Sequence, residues 1–358
     1  MIFDINKNVY RNLDLHYWFG DNQVSNGRHE EKAPVYYDFA IDWGDGTKLE
    51  YYTNRGNKSN GKLPVSRCKH SYKEKGVYRI NIYGEIDALQ GQSSIGDNKN
   101  APSVIRCLKG IFIPKGHLSP LKYAPASFFG CEAMTYLGKN VFNNLASEDT
   151  YEKDSVTGEL IRRPSCKSVS HLFDGCKIKK IPDSLLKSCT TIIDASYMFE
   201  ACDIESVPED LFKSCPNLKY VEHAFHRCDY LTSIPESLFQ NNRDLVDIDC
   251  CFQACKNLRS IPENIFDSCC DKEITINENG EEIVTKKINR HLTVMKHAVA
   301  GEHSVSGYEK TQHINYIPPL WEWDWSSTIN ETDFSYEGYA YGCTEASNYS
   351  IAVEKGWT

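Results

Sequence analysis

The most reactive side chains in this sequence belong to its 15 cysteines. A thiolate acts as a nucleophile or a metal ligand, and two thiols can form a disulfide. The cysteines recur about every 13 residues between positions 176 and 228, and this spacing supplies no close C-x-x-C pair for a metal ion. Their odd number leaves at least one thiol outside any intramolecular set of disulfides. We therefore expect most of them to be buried, reduced thiols that pack as small apolar groups, with disulfides or a metal site as the alternatives.

Other motifs that could carry chemistry are sparse. The chain contains no G-x-S-x-G, H-E-x-x-H, phosphate-loop or G-x-G-x-x-G motif. Four histidines cluster loosely around Glu302, but solvated loop histidines explain them more simply than a metal site does; they are His291, His297, His303 and His313. We predict no catalytic residue, no cofactor and no metal, and we do not expect an enzyme.

The most distinctive binding candidate is a run of alternating tryptophans and acids, Trp321-Glu322-Trp323-Asp324-Trp325. In a strand, alternation would place the three indoles on one face and the two carboxylates on the other. If exposed, that face could stack on sugars or anchor a protein partner. If buried, it would seal the end of the fold, and this is the arrangement that we favour.

Charge and hydropathy narrow the choice of partners. The formal net charge is −9 and no run is rich in Lys or Arg, so we expect no nucleic-acid partner, which would need clustered positive charge. No apolar run approaches the roughly 18 residues of a membrane helix, so no membrane span is expected. The first residues lack the basic and apolar regions of a secretory signal. We therefore expect the protein to stay where it is made or to leave within a particle.

An internal repeat must position these side chains. Ile-Pro or Val-Pro steps recur 26–27 residues apart, and an F-x-x-C element recurs with the same period. The steps begin at Ile181, Val207, Ile234 and Ile261, and the second element begins at Phe173, Phe199, Phe225 and Phe252. A period of this length indicates one supersecondary unit per repeat, stacked so that each Leu, Phe and Cys lies on its counterpart.

Two strings in this region, MFEACDIESVPEDLFKSCPNLKYVEHAFHRCDYLTSIPESLF and CFQACKNLRSIPENIFDSC, resemble the BspA-type leucine-rich repeats. That family occurs in surface proteins of gut and oral bacteria, in parasites and in phage-encoded proteins. The clear likeness covers about residues 165–270, and weaker copies flank it. Two insertions, 145–165 and 271–290, interrupt the repeats, and the second carries the hairpin signal Asn279-Gly280. We expect both to project from the same side.

The N-terminal part has a different pattern. Its WGDGT string is followed by H-x-Y-x-x-x-G-x-Y, and together they resemble the PKD domain, a small Ig-like β-sandwich. The matching residues are Trp43, Gly44, Asp45, Gly46, Thr47, His70, Tyr72, Gly76 and Tyr78. PKD domains act as spacers or docking modules. The Gly-Asp-Gly sequence suits a sharp turn, so we expect Asp45 to shape that turn and not to act in catalysis.

The predicted fold class is therefore multidomain, with a small all-β Ig/PKD-like sandwich followed by an α/β leucine-rich-repeat solenoid with hairpin insertions. The predicted order is an N-terminal arm or first strand (1–32), the PKD-like sandwich (33–88), a linker (89–104) and the solenoid (105–358).

Two functions fit this organisation. The first is a bacteriophage virion component, such as a capsid decoration, fibre or tail accessory, that assembles in the reducing bacterial cytoplasm. It would dock through its N-terminal part and contact virion proteins and a host-surface protein or glycan. The second is a bacterial cell-surface adhesin. For either function we predict a contact row on the repeats, since tyrosine brings apolar area with a polar tip; the row contains Lys219, Tyr220, Val246 and Asp247.

Overall fold

The structure is a computed structural model. It describes residues 1–5, 12–15, 23–24, 33–55, 61–89, 107–111, 120–139, 141–142, 145–153, 158–183, 185–301, 314–326 and 334–358. The chain divides into two compact units, Met1–Asp194 and Ala195–Thr358. The predicted linker lies almost entirely outside the described residues.

The first unit is built from short strands. They are β1 Ile2–Asp4, β2 Asn12–Asp14, β3 Gln23–Val24, β4 Ala33–Pro34, β5 Tyr37–Asp42, β6 Glu50–Thr53, β7 Leu63–Pro64, β8 Lys69–Ser71, β9 Val77–Arg79, β10 Asn81–Ile86, β11 Leu108–Ile111, β12 Tyr136–Leu137, β13 Thr150–Lys153 and β14 Leu160–Arg163. One four-stranded sheet has the order β12-β11-β1-β9 and another has the order β10-β5-β6-β7. The pairs β2/β8, β3/β4 and β13/β14 form two-stranded sheets. A single turn of 3₁₀ helix spans Val65–Arg67.

The second four-stranded sheet shows how local sequence sets the fold. Alternate residues of β5 are buried, which is the period-two pattern of a half-buried strand. The WGDGT turn follows β5. Gly44 has φ +77°, and a Cβ there would lie 2.4 Å from the carbonyl oxygen of Arg79, so the turn needs glycine at this point. Asp45 accepts hydrogen bonds from the backbone N–H and the hydroxyl of Thr47. The turn-forming role expected of Asp45 is confirmed.

A buried arginine fixes the β13–β14 hairpin to the rest of the first unit. Arg163, at the end of β14, pairs with the buried carboxylate of Asp87 and with Glu152. Its guanidinium lies 4.6 Å from the ring centroid of Tyr36, and that of Arg55 lies 4.7 Å from the same ring. A buried charge of this kind is tolerated because it is paired and hydrogen-bonded.

The described residues of the second unit form few regular elements. They are β15 Cys270–Ile276, β16 Glu282–Asn289, the helix α1 Tyr349–Glu354 and two single 3₁₀ turns, Asp267–Cys269 and Leu320–Glu322. Strands β15 and β16 pair as an antiparallel hairpin. Hairpins therefore occur at both predicted insertions. The remaining described residues form successive turns that are joined by isolated parallel bridges such as Tyr220↔Asp247.

These turns stack in register. Phe225 lies between Phe199 and Phe252, with ring centroids 5.9 and 5.6 Å apart. A second row joins Phe212 to Phe239 at 5.8 Å and Phe239 to Phe266 at 5.7 Å. The leucines predicted to be buried have no exposed surface; they are Leu218, Leu231, Leu245 and Leu258. The predicted phenylalanine row and the burial of these leucines are confirmed.

The cysteines connect one turn to the next. All 15 are buried and free of disulfides, and several thiols donate a hydrogen bond to a backbone carbonyl one repeat earlier. Cys228 reaches Phe199 O, Cys255 reaches Phe225 O and Cys343 reaches Val299 O, each at 3.1 Å. Burial raises the pKa of the Cys255 thiol to about 12. The predicted burial is confirmed.

The fold class predicted from the sequence is wrong. Among the described residues of both units, the only α-helix has six residues, and the sheets have two or four strands, none of them closed. The described residues do not form an α/β leucine-rich-repeat solenoid. The physical reason lies in the turns, where the N–H of Cys228 bonds to Phe225 O, three residues earlier. Left-handed backbone at His223 and Arg227, with φ 54° and 56°, prevents a helical ladder of i→i−4 bonds.

The segment predicted to be a PKD-like sandwich, residues 33–88, pairs with strands on either side of its predicted bounds. Its β9 belongs to a sheet in which β1 is the next strand, and β1 pairs in turn with β11. Both β1 and β11 lie outside residues 33–88. Backbone hydrogen bonding therefore ties this segment to chain on either side of it.

Candidate functional site

The contact row predicted on the repeats follows the line of parallel bridges in the second unit. Lys219 is exposed, Tyr220 and Val246 are half-buried and Asp247 is buried. The backbone N–H of Val246 donates to Lys219 O at 2.9 Å, so the row runs across adjacent turns. Asp247 Oδ1 accepts a hydrogen bond from the backbone N–H of Asp249, so this oxygen already has a partner within its own turn. The structure thus brings the four residues together, with three of them at least partly accessible.

The three predicted tryptophans form part of an aromatic cluster. Residues Leu320–Glu322 are a 3₁₀ turn and not a strand, so the indoles do not line one flat face. Trp323 and Trp325 are buried and stack at 5.8 Å, and Trp321 is half-buried with its ring 6.3 Å from that of Trp357. Burial was the favoured arrangement, and it leaves little indole surface for a ligand.

The β15–β16 hairpin exposes apolar side chains. Four branched residues, Ile274, Ile276, Ile283 and Val284, are between 43% and 63% exposed. Ile274 is paired directly with Val284, so their side chains share one face of the hairpin. An isolated two-stranded hairpin is marginally stable in water, so its base must hold it in place.

The base of the hairpin is held by ion pairs. Asp267 accepts from Lys272 at 2.8 Å and from Lys287 at 2.9 Å. Lys286 pairs with Asp324 at 2.6 Å, and Arg290 pairs with Asp271. The same Asp267 and Lys272 border a polar groove of about 650 Å³. The charges at the base are therefore matched, whereas the exposed apolar side chains lie farther along the strands, before a polar turn at residues 277–281.

A second candidate site combines a carboxylate with two imidazoles. His226 Nδ1 lies 2.9 Å from Glu200 Oε1 and 3.2 Å from His223 Nδ1. The rings of the two histidines meet edge to face at 4.8 Å. His226 is only 7% exposed, and its Nε2 meets no hydrogen-bond partner among the described residues. Glu200 and His223 are half-buried, so the cluster lies just beneath the surface.

The stacked turns create this cluster. The N–H of Ala201 bonds to His226 O at 2.8 Å, and the N–H of Tyr197 bonds to Glu222 O at 2.8 Å. This register places residues 26 positions apart on neighbouring turns, so Glu200 lies beside His226 and Tyr197 lies beside His223. The left-handed φ of His223 belongs to the repeat geometry, because the equivalent residue Tyr197 has φ 60°.

Further polar residues surround the cluster. Tyr197 stacks on His223 at 4.6 Å and donates its hydroxyl to Glu222 at 2.7 Å. On the following turn, Asp249 and Cys250 have polar atoms within 4.8 Å of His223. Burial raises the pKa of Asp249 to about 6. Burial, followed by the nearby Asp249 carboxylate, also raises the pKa of the Cys250 thiol well above its ordinary value.

The sequence reasoning missed this cluster. It weighed metal binding at the cysteines and around Glu302, and Glu302, His303 and His313 lie outside the described residues. The signal that could have found Glu200, His223 and His226 is the repeat itself. Alignment of two consecutive repeats places Glu200 at the position of His226, and stacked repeats make equivalent positions neighbours.

Comparison with known proteins gives no family for the chain. No protein-family model matches it, and neither a curated protein nor a solved structure matches it. Within the part of the chain that the structure describes, no helix has the length and apolar character needed to cross a membrane.

Proposed function

We propose that this chain is a non-catalytic binding protein that docks on a protein partner through the β15–β16 hairpin. The observation that carries the proposal is the exposure of Ile274, Ile276, Ile283 and Val284 on a hairpin with an anchored base. Clustered apolar side chains in water mark interaction surfaces. Anchoring limits the entropy lost on binding, and this favours affinity.

The proposed partner is a protein. Two of the tryptophans that the sequence offered for stacking on sugars, Trp323 and Trp325, are buried. Branched aliphatic residues suit an apolar patch on another protein, with the edge of the hairpin available for strand addition. The row with Lys219, Tyr220 and Val246, in the same unit, adds one charged, one polar and one apolar side chain.

The proposed setting is a bacteriophage virion, in which the protein is a capsid decoration, fibre or tail accessory. This proposal is supported by the thiols, since Cys228 and Cys255 each need a hydrogen on sulfur to bond to the preceding turn. A fold that uses thiols in this way suits assembly in a reducing cytoplasm. The resemblance to BspA-type repeats and to PKD domains remains a prediction, and the alternative that it suggests is a bacterial cell-surface adhesin.

The test replaces apolar side chains of the hairpin without lowering its strand propensity. A triple variant Ile274→Thr, Ile276→Thr and Val284→Thr keeps β-branched residues and removes apolar area. The matched control is Val353→Thr, another exposed apolar residue of the same unit, on α1. Incorporation into virions is measured by mass spectrometry of purified particles produced in cells that express each variant.

We expect the control to be incorporated like the wild type and the triple variant to be lost from particles while remaining folded. Equal incorporation of both variants would place docking elsewhere on the chain. Absence of the wild-type protein from particles, together with its presence on the bacterial surface, would instead establish the adhesin alternative.

A further inference from the structure

The cluster of Glu200, His223 and His226 has the spacing of a metal-binding site. Zinc–nitrogen and zinc–oxygen bonds are about 2.0–2.2 Å long, so tetrahedral ligand atoms lie about 3.3 Å apart. The observed separations from His226 Nδ1 are 2.9 Å to Glu200 Oε1 and 3.2 Å to His223 Nδ1. Both separations need to widen by only a few tenths of an ångström to reach that of ligands on a coordinated ion.

Hydrogen bonding alone leaves His226 poorly satisfied. A proton on His226 Nδ1 can serve Glu200, but the buried Nε2 then carries a lone pair with no donor among the described residues. A proton on Nε2 instead leaves lone pairs of His226 Nδ1 and the Glu200 carboxylate facing each other. A divalent cation placed between the three atoms removes that repulsion, because all of them are then donors to the metal.

We propose that Glu200, His223 and His226 bind one divalent transition-metal ion of the zinc class. Two imidazole nitrogens and one carboxylate oxygen form a ligand set that such ions accept, with the remaining position open to water. The site is separate from the proposed docking hairpin, and neither proposal depends on the other.

The surrounding residues hold the ligands in place before an ion arrives. Tyr197 stacks nearly parallel to His223, with an interplanar angle of 6°, and its hydroxyl is held by Glu222. The main chain of Ala201 is bonded to His226 O, which fixes the distance between the turns. Fixed ligands bind metals more tightly because less freedom is lost. The neighbouring Cys250 is a protonated thiol that donates to Asp249 at 3.4 Å, and it stays outside the ligand set.

The experiment uses the full chain, freed of metal with a chelator and then exposed to Zn²⁺. Two variants remove a ligand, Glu200→Gln and His226→Gln. Glu200→Gln can still hydrogen-bond to His226, so a purely structural role would be largely preserved. The control is His171→Gln. His171 Nδ1 pairs with Asp174 at 2.9 Å, and these two residues are three positions apart, as His223 and His226 are. Zinc content after gel filtration and zinc affinity by calorimetry are measured.

We expect one zinc ion per chain in the wild type and in His171→Gln. Each ligand variant should lose more than the roughly 10–100-fold in affinity that follows loss of an outer-shell contact. Zinc should also raise the melting temperature of the wild type but not that of Glu200→Gln. A wild type that retains no stoichiometric zinc, or ligand variants that bind as tightly as the control, would overturn the proposal.

A readout on the wild type alone covers the case in which a variant does not fold. Loading with Co²⁺ in place of Zn²⁺ should give the visible absorption of a low-coordinate ion with nitrogen and oxygen ligands. A spectrum identical to that of hydrated Co²⁺ would show that no site exists. A strong thiolate-to-cobalt band would place the ion on a cysteine and overturn the ligand set.

Discussion

The thiol of Cys228 donates a hydrogen bond to the carbonyl oxygen of Phe199, one turn away in the stack, with 3.1 Å between sulfur and oxygen. The same carbonyl accepts the backbone N–H of Cys202 within its own turn, at 3.2 Å. One oxygen therefore closes a turn and joins it to the next. The repetition of this arrangement at Cys255 and Phe225 explains why cysteine recurs at this position, since it is small and apolar yet carries a donor.

The burial of the cysteines predicts their reactivity. Alkylation of the native protein near pH 8 should modify few thiols, because they are buried and because burial raises the pKa of thiols such as Cys255, which lowers the thiolate fraction. Unfolding without a reductant should then expose all 15. Intact-mass analysis counts the labels in both states. Recovery of most cysteines as disulfides would contradict both the thiol hydrogen bonds and assembly in a reducing compartment.

The phenylalanine row predicts a large effect of truncation. Phe225 is fully buried between Phe199 and Phe252, so Phe225→Ala should lower the free energy of unfolding by about 3–5 kcal/mol. Tyr230, a few residues later, is 54% exposed, and Tyr230→Ala should change that energy by less than about 0.5 kcal/mol. Denaturant unfolding compares the two. Equal melting of Phe225→Ala and wild type would contradict the stacked register.

The rows were predictable because they depend on residue type and period alone. Leu218 and Phe225 repeat every 26–27 residues, and stacking follows from that. The conformation of the turns could not be predicted in this way. Left-handed backbone occurs at His223 and Arg227, where a sequence offers no glycine as a signal. The resemblance to leucine-rich repeats led us to expect regular helices and strands, and the observed backbone hydrogen bonds form turns instead.

In the first unit too, some features could be predicted from the sequence and others could not. Gly44 and Gly46 predict a turn in the sequence, and both have positive φ in the structure. The pairing of β1 with both β9 and β11 has no sequence signal, because strands of three or four residues are too short to show a period. Likewise, Glu200 and His226 do not form a recognisable motif, since they are different residue types 26 positions apart. Their proximity can be predicted only by aligning consecutive repeats.

The WGDGT turn predicts a pH dependence of stability. Burial tends to raise the pKa of Asp45, but hydrogen bonds from Thr47 and His70 outweigh it and lower the pKa to about 2. A folded pKa below the unfolded value of about 3.9 contributes stability above pH 4, and that contribution is lost as the pH falls through about 2. Asp45→Asn should remove this part of the acid sensitivity.

Melting temperatures between pH 2 and pH 7 check this expectation. The difference between wild type and Asp45→Asn should be largest near neutral pH and should shrink toward pH 2. Asp183→Asn removes an exposed carboxylate elsewhere in the first unit and serves as the control. A constant difference at every pH would show that the Asp45 charge does not matter in the turn.

Asn242 tests the role of the cysteine position, because it stands where neighbouring repeats have Cys215 and Cys269. Its Nδ2 donates to the carbonyl oxygens of Phe212 at 3.2 Å and Cys215 at 2.7 Å, while its Oδ1 is buried without a partner among the described residues. Asn242→Leu removes this donor from both carbonyls, which keep their bonds from the backbone N–H groups of Cys215 and Leu218, so the expected cost is about 0.5–1.5 kcal/mol for each hydrogen bond lost.

Asn242→Cys restores the donor of the other repeats and removes the unpaired Oδ1. We therefore expect it to lie within about 1 kcal/mol of the wild type, well above Asn242→Leu in the free energy of unfolding. Urea titration of the three proteins gives the order. If Asn242→Leu proved as stable as Asn242→Cys, apolar packing would be the requirement at this position and the hydrogen bonds between turns would be incidental, for Cys228 as well as for Asn242.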